Sequence, residues 1–255
     1  MKNQRKKKKI RKLIFISAIT ALLFSFCGEE EKVSPLLVHP GFRTKLLFED
    51  HFNGSLDSWF SEGTGEATTT EDGWLCLSAY PNSDGMAIWL KQNLDNNFQI
   101  EYRIEISESS VLNRAMICAH GLNGEDILSD LSRHSGDPDA YTNGQIRSYD
   151  FSYHCISPSG IPFQESLLRK NPGGILLSRA KNDPCLHERT YFINITKLGN
   201  RIQFFVDGNP VHDIRDKGGF SPPYAKGKFG FWIGSTRDTS ITSIDYIRIF
   251  ELIPE

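Results

Sequence analysis

The stretch "FQIEYRIEIS", residues 98–107, alternates apolar and polar side chains. Its apolar face carries Ile100, Tyr102, Ile104 and Ile106, and its charged face carries Glu101, Arg103 and Glu105. Successive side chains of a β-strand point to opposite faces, so this period of two predicts a strand with one face on a core. We therefore expect the charged face to be solvated.

Similar β-rich runs, separated by turn residues, follow one another from residue 46 onward. In "YFINITKLGNRIQFFVDGNPVHDI", residues 191–214, the dipeptides GN and DG mark hairpin turns between strands. No long segment after the N-terminal region has the period of about 3.6 residues that is typical of an amphipathic helix. The pattern predicts one all-β domain over residues 46–255, built as a two-sheet antiparallel sandwich.

The first 27 residues have the order of a lipoprotein-type export signal. Residues 1–12 contain eight Lys and Arg, residues 13–26 are mostly apolar, and Cys27 follows. As a helix the apolar stretch would be about 21 Å long, shorter than the roughly 30 Å hydrocarbon core, which disfavours a spanning helix. We predict acylation of Cys27, an acidic tether over residues 28–45, and a membrane-anchored lipoprotein that faces the periplasm or the cell surface. A plain cleaved signal and an uncleaved anchor are the alternatives.

Removal of the signal changes the charge of the chain. Residues 1–26 hold eight of the 29 Lys and Arg and none of the 31 Asp and Glu, so the remainder has a net charge near −10. An acidic domain without a basic stripe is not typical of nucleic-acid binding, which we exclude as a function. We expect a monomer that needs no cofactor and contacts the membrane through its lipid.

Four cysteines remain beyond Cys27. They are Cys76, Cys118, Cys155 and Cys185. An even number in an exported chain allows disulfides, with three alternative pairings. Four buried thiols are the alternative.

One long connection interrupts the strand pattern. Residues 121–145, "GLNGEDILSDLSRHSGDPDAYTNGQ", are rich in Gly, Asp, Asn and Ser, and connections of this length are often functional. The segment also contains Ile127, Leu128, Leu131 and Tyr141. These apolar side chains predict that it packs onto the domain.

Four motifs are together similar to a known family. They are "GLNGEDIL" (121–128), "SRHSGDPDAYTNGQIRSYDFSYH" (132–154), "LLRKNPGGILLS" (167–178) and "KGKFGFW" (226–232). In this order they resemble the YesU-like family of bacterial concanavalin-A-like jelly rolls, a group of domains of unknown function, over residues 45–252. The resemblance implies a jelly-roll sandwich with a glycan-facing sheet and an association with polysaccharide breakdown. Some relatives are named as lyases.

The strand "SYDFSYHC", residues 148–155, has an aromatic and a polar face. Tyr149, Phe151 and Tyr153 are predicted to pack between the sheets, which would leave Asp150 and His154 open to a cleft. We expect Glu125 or Asp126 to lie near the arginines or polar residues of this site. The predicted substrate-binding residues are Glu125, Asp126, Asp150, Ser152, Arg169 and Lys170.

Lyase chemistry on a uronate requires a cation that neutralises the carboxylate and a base that removes the C5 proton. Arg133 is the candidate for the first task, because a guanidinium pairs with a carboxylate through two hydrogen bonds. Tyr141 and His154 are the candidates for the base. The structural alternatives are arginines that tie the acidic connection to the sheet and an acid pair that caps a helical turn.

Other sites are less favoured. The Cα atoms of Glu101 and Glu105 should be about 13 Å apart, whereas glycosidase carboxyl groups lie about 5–9.5 Å apart. The oxygen donors of "GDPDAYTN" suit calcium but also ordinary turns, and we predict no metal. Aromatic residues serve either as sugar platforms or as core, and the sequence leaves both open for Trp59, Trp74, Trp89, Trp232 and Tyr224.

Three functions are compatible with these observations. The first is a lyase-like enzyme that acts on a polysaccharide or oligosaccharide. The second is a non-catalytic carbohydrate-binding module. The third is a structural or adhesive surface domain that contacts protein. An exposed apolar patch would favour the third, and an uncharged aromatic strip the second.

Overall fold

The computed structural model describes residue 37 and residues 39–130, 135–156, 165–182 and 184–255. The predicted signal with Cys27, most of the predicted tether, Leu131 and Arg133 lie outside these residues. In the part of the chain that is described, no helix is long and apolar enough to cross a membrane.

The described chain forms two antiparallel β-sheets, as predicted. Sheet A contains β13 (Asn209–Arg215), β12 (Arg201–Val206), β11 (Arg189–Leu198), β6 (Phe98–Ile106), β15 (Ser240–Pro254), β4 (Leu75–Ala79) and β3 (Gly65–Thr69) in spatial order, with β1 (Phe42–Asp50) paired to β15. Sheet B contains β10 (Ile175–Ala180), β9 (Ser166–Asn171), β8 (Ile146–Cys155), β7 (Leu112–Gly121), β14 (Lys228–Gly234), β5 (Met86–Leu90) and β2 (Trp59–Gly63). Two short helices, a 3-10 turn (Ile127–Ser129) and α1 (Pro138–Thr142), connect β7 to β8.

β15 is a 15-residue strand that organises sheet A. One of its edges pairs with β6, and the other pairs with β4 near its start and with β1 near its end. Phe42 is the register partner of Pro254. Residues 42–45, which the sequence analysis assigned to the tether, therefore belong to the first strand.

The core between the sheets follows the predicted alternation. Tyr149, Phe151 and Tyr153 of β8 are 0–1% exposed, as expected for the aromatic face. Phe204 of β12 stacks on both Phe151 and Tyr153, with ring centres 5.1 and 5.7 Å apart. Aromatic side chains bury roughly 150–250 Å² each, so these contacts between the sheets contribute strongly to the packing.

The charged face of β6 is not fully solvated, which corrects the expectation from its sequence. Glu101 is completely buried, whereas Glu105 is exposed. The register places Glu101 between Asn194 of β11 and Arg248 of β15, and Arg248 forms an ion pair with it. Burial raises the pKa of the Glu101 carboxyl, and the charge of Arg248 opposes that shift. A central strand thus buries a carboxylate by pairing it with a neighbouring strand.

The four cysteines Cys76, Cys118, Cys155 and Cys185 are thiols, with no disulfide among them. Cys118 and Cys185 are buried, and the other two are partly exposed. Burial raises the pKa of the Cys118 thiol to about 12, so this group is an unreactive part of the core.

Candidate functional site

The connection between β7 and β8 packs onto the outer face of sheet B, the side that points away from sheet A. Ile127 and Tyr141 are completely buried there against Trp89 and Trp232. This confirms the prediction that the segment packs onto the domain. We call the outward surface of sheet B, together with this connection, the sheet B face.

Glu62 of the edge strand β2 is the centre of the contacts that hold the connection. Its Oε1 accepts hydrogen bonds from Trp89 Nε1 and from the Tyr141 hydroxyl, each at 2.6 Å. The backbone N–H of Gly136 donates to the Tyr141 hydroxyl at 3.2 Å, and Trp232 Nε1 donates to the Gly136 carbonyl at 2.8 Å. A single carboxylate therefore joins two strands to the connection.

Backbone contact brings the connection still closer to the sheet. A Cβ atom on Gly63 would lie 2.7 Å from the Cα of Gly136 and 2.5 Å from the carbonyl oxygen of Gly85. Each of these three residues has a positive φ, of 87°, 78° and 110° respectively. Larger residues would clash and adopt a strained backbone, so glycine is required at this approach.

An arginine–aspartate cluster lies further along the same face. It consists of Arg114 of β7, Asp150 of β8 and Arg169 of β9, and Asp150 and Arg169 are register partners. Arg114 Nη1 donates to Asp150 Oδ2 at 3.2 Å and to the Thr142 hydroxyl oxygen at 3.4 Å. The Arg114 guanidinium also stacks 4.7 Å from the ring centre of Trp232.

The cluster has one carboxylate for two cations. Asp150 is completely buried, and its Oδ1 has no hydrogen-bond partner in the described part of the chain. The guanidinium of Arg169 is half-buried, and no described residue forms a hydrogen bond or an ion pair with it. Burial lowers the pKa of Arg169, while the charge of Asp150 opposes that shift. The cluster has an excess positive charge and unused hydrogen-bonding capacity, which suits an anionic or polyhydroxylated ligand.

Tyr141 is bonded as a donor and not as a base. Its hydroxyl donates to Glu62, and burial together with that carboxylate raises the pKa of Tyr141 far above its usual value. A general base needs a pKa near the working pH. This environment favours a structural role for Tyr141 in fixing the connection.

His154 and Asp150 do not open onto a cleft, which corrects the prediction for the polar face of β8. His154 is 2% exposed, and its two ring nitrogens lie 2.8 Å and 3.1 Å from the carbonyl oxygens of Cys185 and Ser110. Burial lowers the pKa of His154, and these carbonyl contacts oppose the shift. His154 follows Asp150 by four residues on the same strand, which separates the two by about 13 Å. Ser152, between them, is also buried and donates to the Leu167 carbonyl at 3.4 Å.

Lys170 lies on the opposite side of sheet B from Arg169. It is 1% exposed, and its Nζ lies 2.6 Å from Asp216 Oδ2 inside the sandwich. Tyr149 donates to the same carboxylate oxygen at 2.7 Å. Neighbouring residues of a strand cannot face one surface, so Lys170 does not line the sheet B face.

Asp126 of the "GED" turn contacts residues other than those expected, whereas the expected contact between Glu125 and Arg133 lies outside the described residues. Asp126 caps the 3-10 turn by accepting from the Leu128 N–H at 2.9 Å, and it forms an ion pair with Lys228 at 2.8 Å. Glu125 accepts from the Asn123 N–H at 2.9 Å. The capping alternative is therefore confirmed for Asp126. Among the described residues, Asp126 forms its ion pair with Lys228 and not with Arg169.

Most of the remaining candidates from the sequence are buried in the core or cap a helix. Trp59, Trp89, Trp232 and Tyr224 are each at most 4% exposed, so they are core residues and not sugar platforms. Asp137 caps α1 by accepting from the Asp139 N–H. In the residues that the structure describes, no three His, Cys, Asp or Glu side chains are grouped to hold a metal ion.

Sequence reasoning missed Arg114, Glu62 and Lys228. Arg114 precedes the apolar run "AMICAHG" and shares the outward face of β7 with Met116. A lone arginine in an apolar strand was the available signal. Glu62 carried no comparable signal, and the "KGKFGFW" motif that contains Lys228 did not indicate its contact with Asp126, because the two residues are distant in sequence.

A family model described as a domain of unknown function (DUF1961) matches residues 45–235. The chain belongs to this family. Its YesU-like grouping stays a prediction. No curated protein sequence matches the chain significantly.

Solved structures confirm the predicted jelly-roll fold. A Bacillus subtilis protein of unknown function with a galectin-like fold is 21% identical, with a TM-score of 0.73, and the match covers 84% of this chain and 100% of that chain. The kappa-carrageenase of Pseudoalteromonas carrageenovora, solved with an oligotetrasaccharide of kappa-carrageenan, is 14% identical, with a TM-score of 0.57 over 86% of this chain and 99% of that chain. An endo-beta-1,3-glucanase from Pyrococcus furiosus is also 14% identical, with a TM-score of 0.56 over 85% and 100% of the two chains. At these identities the likeness establishes the fold alone.

Proposed function

We propose that the protein binds an acidic polysaccharide or oligosaccharide on the sheet B face, with Arg169 and Arg114 in contact with an acid group of the sugar. The observation that carries this proposal is the half-buried Arg169 guanidinium, which no described residue pairs. A cation in this position gains more from an anionic ligand than a solvated one, because water screens it less.

Asp150 acts in this proposal as a positioning residue. It is buried, so it holds Arg114 in place from below and does not itself contact ligand. The stacking of Arg114 on Trp232 restricts the same guanidinium further. A guanidinium fixed in this way loses little side-chain entropy on binding, which favours affinity.

The fold supports a sugar ligand. Structural neighbours include a carrageenase solved with an oligosaccharide and an endo-beta-1,3-glucanase. Their likeness supports carbohydrate binding only through the shared fold. Few large apolar side chains of the described chain are exposed, Leu46 and Phe220 among them, and this gives the protein-docking alternative no specific support.

Lyase activity is a narrower form of the proposal. The two arginines supply the neutralising cations that elimination needs. Tyr141 and His154 lack the environment of a base, since both are buried and Tyr141 has a raised pKa. Arg133, the third predicted catalytic residue, lies outside the described residues. Binding without turnover is therefore the function that we favour.

The proposal is tested by binding of polygalacturonate, alginate and a neutral β-glucan to the wild type and to Arg169→Gln and Arg114→Gln. We expect binding of an acidic polymer, reduced roughly 10-fold or more in each variant, because a hydrogen bond to a charged group contributes about 1.5–3 kcal/mol. Arg189→Gln is the matched control, since Arg189 is an exposed arginine of sheet A that pairs with Asp207. Equal affinity of the wild type and both variants would refute the site. Release of unsaturated sugar by the wild type would show that it is also a lyase.

We also propose that acylated Cys27 anchors the protein at a membrane, with the domain facing the periplasm or the cell surface. The support is the order of basic region, apolar stretch and cysteine in residues 1–27.

A further inference from the structure

A polar cavity of about 480 Å³ lies at one end of sheet A. It is formed where β1 and β12 begin and where β11, β13 and β15 end, beside the turn that precedes β6. None of its lining residues belongs to a strand of sheet B, so it is separate from the sheet B face. Its volume lies within the range of about 300–1,000 Å³ that small-molecule sites occupy.

The polar groups that line the cavity are mainly hydrogen-bond donors. Asn96 Oδ1 already accepts from Lys197 Nζ at 3.0 Å, and Asn97 Oδ1 accepts from the Gly199 N–H at 2.9 Å. Their side-chain N–H groups remain for a ligand. Among the described residues that line the cavity, none carries a carboxylate.

Two arginines of the cavity are opposed on neighbouring strands. Arg201 of β12 and Arg215 of β13 are register partners. Asp213 pairs with Arg201 through two hydrogen bonds of 2.8 and 2.6 Å, whereas Arg215 donates only to the neutral Asn200 Oδ1, at 3.4 Å. The Asp213 carboxylate also interacts electrostatically with Arg215, so the two arginines share one counter-charge and leave one positive charge in excess.

A third cation, Lys197, lies beneath the residues that line the cavity. Lys197 is completely buried, and its Nζ contacts the neutral oxygens of Asn96 and Gly199, both of which line the cavity. Its charge adds to that of the two arginines, which are themselves exposed or partly exposed to solvent. The charged side chains that line the cavity are the two arginines, and Asp216 partly offsets the charge of Lys197 behind them.

We propose that this cavity binds an oxyanion, namely the carboxylate, sulfate or phosphate group of a ligand of monosaccharide to disaccharide size. The two arginines neutralise the charge, and the amide groups of Asn96 and Asn97 donate to the remaining oxygens. The site is a second one on the molecule, and it does not depend on the function proposed for the sheet B face.

The test is a titration of the full chain with sodium sulfate, galacturonate and galactose, followed by NMR of the Asn96 and Asn97 side-chain amides. We expect saturable shifts with sulfate and galacturonate, mutual competition between them, and no shift with galactose. Arg215→Gln should weaken the binding of sulfate and of galacturonate at least 10-fold. In anion-free buffer the same variant should melt within about 2 °C of the wild type, because Arg215 is exposed and substitutions of exposed residues usually change stability little.

Arg189→Gln is the matched control, because Arg189 lies at the other end of β11, about 30 Å from Leu198 at the cavity. Arg114→Gln of the sheet B face should likewise leave these shifts unchanged. The proposal is overturned if neither anion saturates the site or if galactose gives the same shifts. It is equally overturned if Arg215→Gln binds like the wild type or if Arg189→Gln weakens binding as much.

Discussion

His212 is a buried imidazole whose hydrogen bonds fix its neutral form. Its Nε2 lies 3.0 Å from the Ser166 hydroxyl, and its Nδ1 lies 2.9 Å from the Ser178 hydroxyl. Ser166 donates its own proton to the Ser152 carbonyl at 2.7 Å, so its oxygen accepts from Nε2–H and Nδ1 accepts from Ser178. Burial lowers the pKa of His212 to about 4 from 6.5. The serine that sequence analysis placed in the site thus belongs to a core network.

This pKa predicts an acid-sensitive core. Between pH 6.5 and about 4 the unfolded state binds a proton at His212 that the folded state does not, so stability is lost as the pH falls through this window. His212→Asn should reduce the slope of the unfolding free energy against pH by up to about 1.4 kcal/mol per pH unit. Urea unfolding at several pH values measures this slope. His51→Asn, on the exposed surface, is the control, and an unchanged slope in His212→Asn would contradict the assignment.

At the scale of the elements, β9 shows how strand geometry separates two adjacent cations. Arg169 lies on the outer face of sheet B, while Lys170 forms a buried ion pair with Asp216. Removal of one partner of a buried pair leaves an uncompensated charge, which costs about 3–5 kcal/mol. Lys170→Met should therefore lower the unfolding free energy by roughly 3 kcal/mol or more.

Arg169→Gln is the matched variant for Lys170→Met, because the two residues are neighbours on one strand. We expect it to change the unfolding free energy by less than about 1 kcal/mol, as is usual for a side chain that makes no buried pair. Urea denaturation of both proteins measures the difference. Similar losses in the two variants would show that Arg169 is as structural as Lys170.

The same elements show how far the sequence predicts the structure. The alternation in β8 correctly assigned Tyr149, Phe151 and Tyr153 to the core, because a period of two is a local property. It did not predict that Asp150 is also buried, since the pattern of one strand does not show which side chains of the neighbouring strands cover its outer face. Likewise, the pairing of Asp126 with Lys228 joins residues far apart in sequence. Local pattern thus predicts faces, while the covering of a face depends on strand order.

At the scale of the whole molecule, the two sheets have different roles. The outer face of sheet B is covered in part by the connection between β7 and β8, which Glu62 and three glycines hold in place. Sheet A contains both terminal strands, β1 and β15, and has the polar cavity at its end. Phe42, the first residue of β1, therefore lies in sheet A, whereas the face proposed to bind polymer belongs to sheet B.

The position of Cys27 in the sequence limits how far the domain can lie from a lipid on this cysteine. Fourteen residues separate it from Phe42, the first residue of β1, so the two are at most about 50 Å apart. Cys27→Ser removes the acylated sulfur, and we expect the protein to leave the membrane fraction or to remain unprocessed. Cell fractionation with mass measurement of the product distinguishes these outcomes from the wild type. Cys76→Ser, which changes a partly exposed thiol within the domain, should leave membrane association intact. If Cys27→Ser stays in the membrane fraction with the mature mass of the wild type, the protein is not held by a lipid on this cysteine.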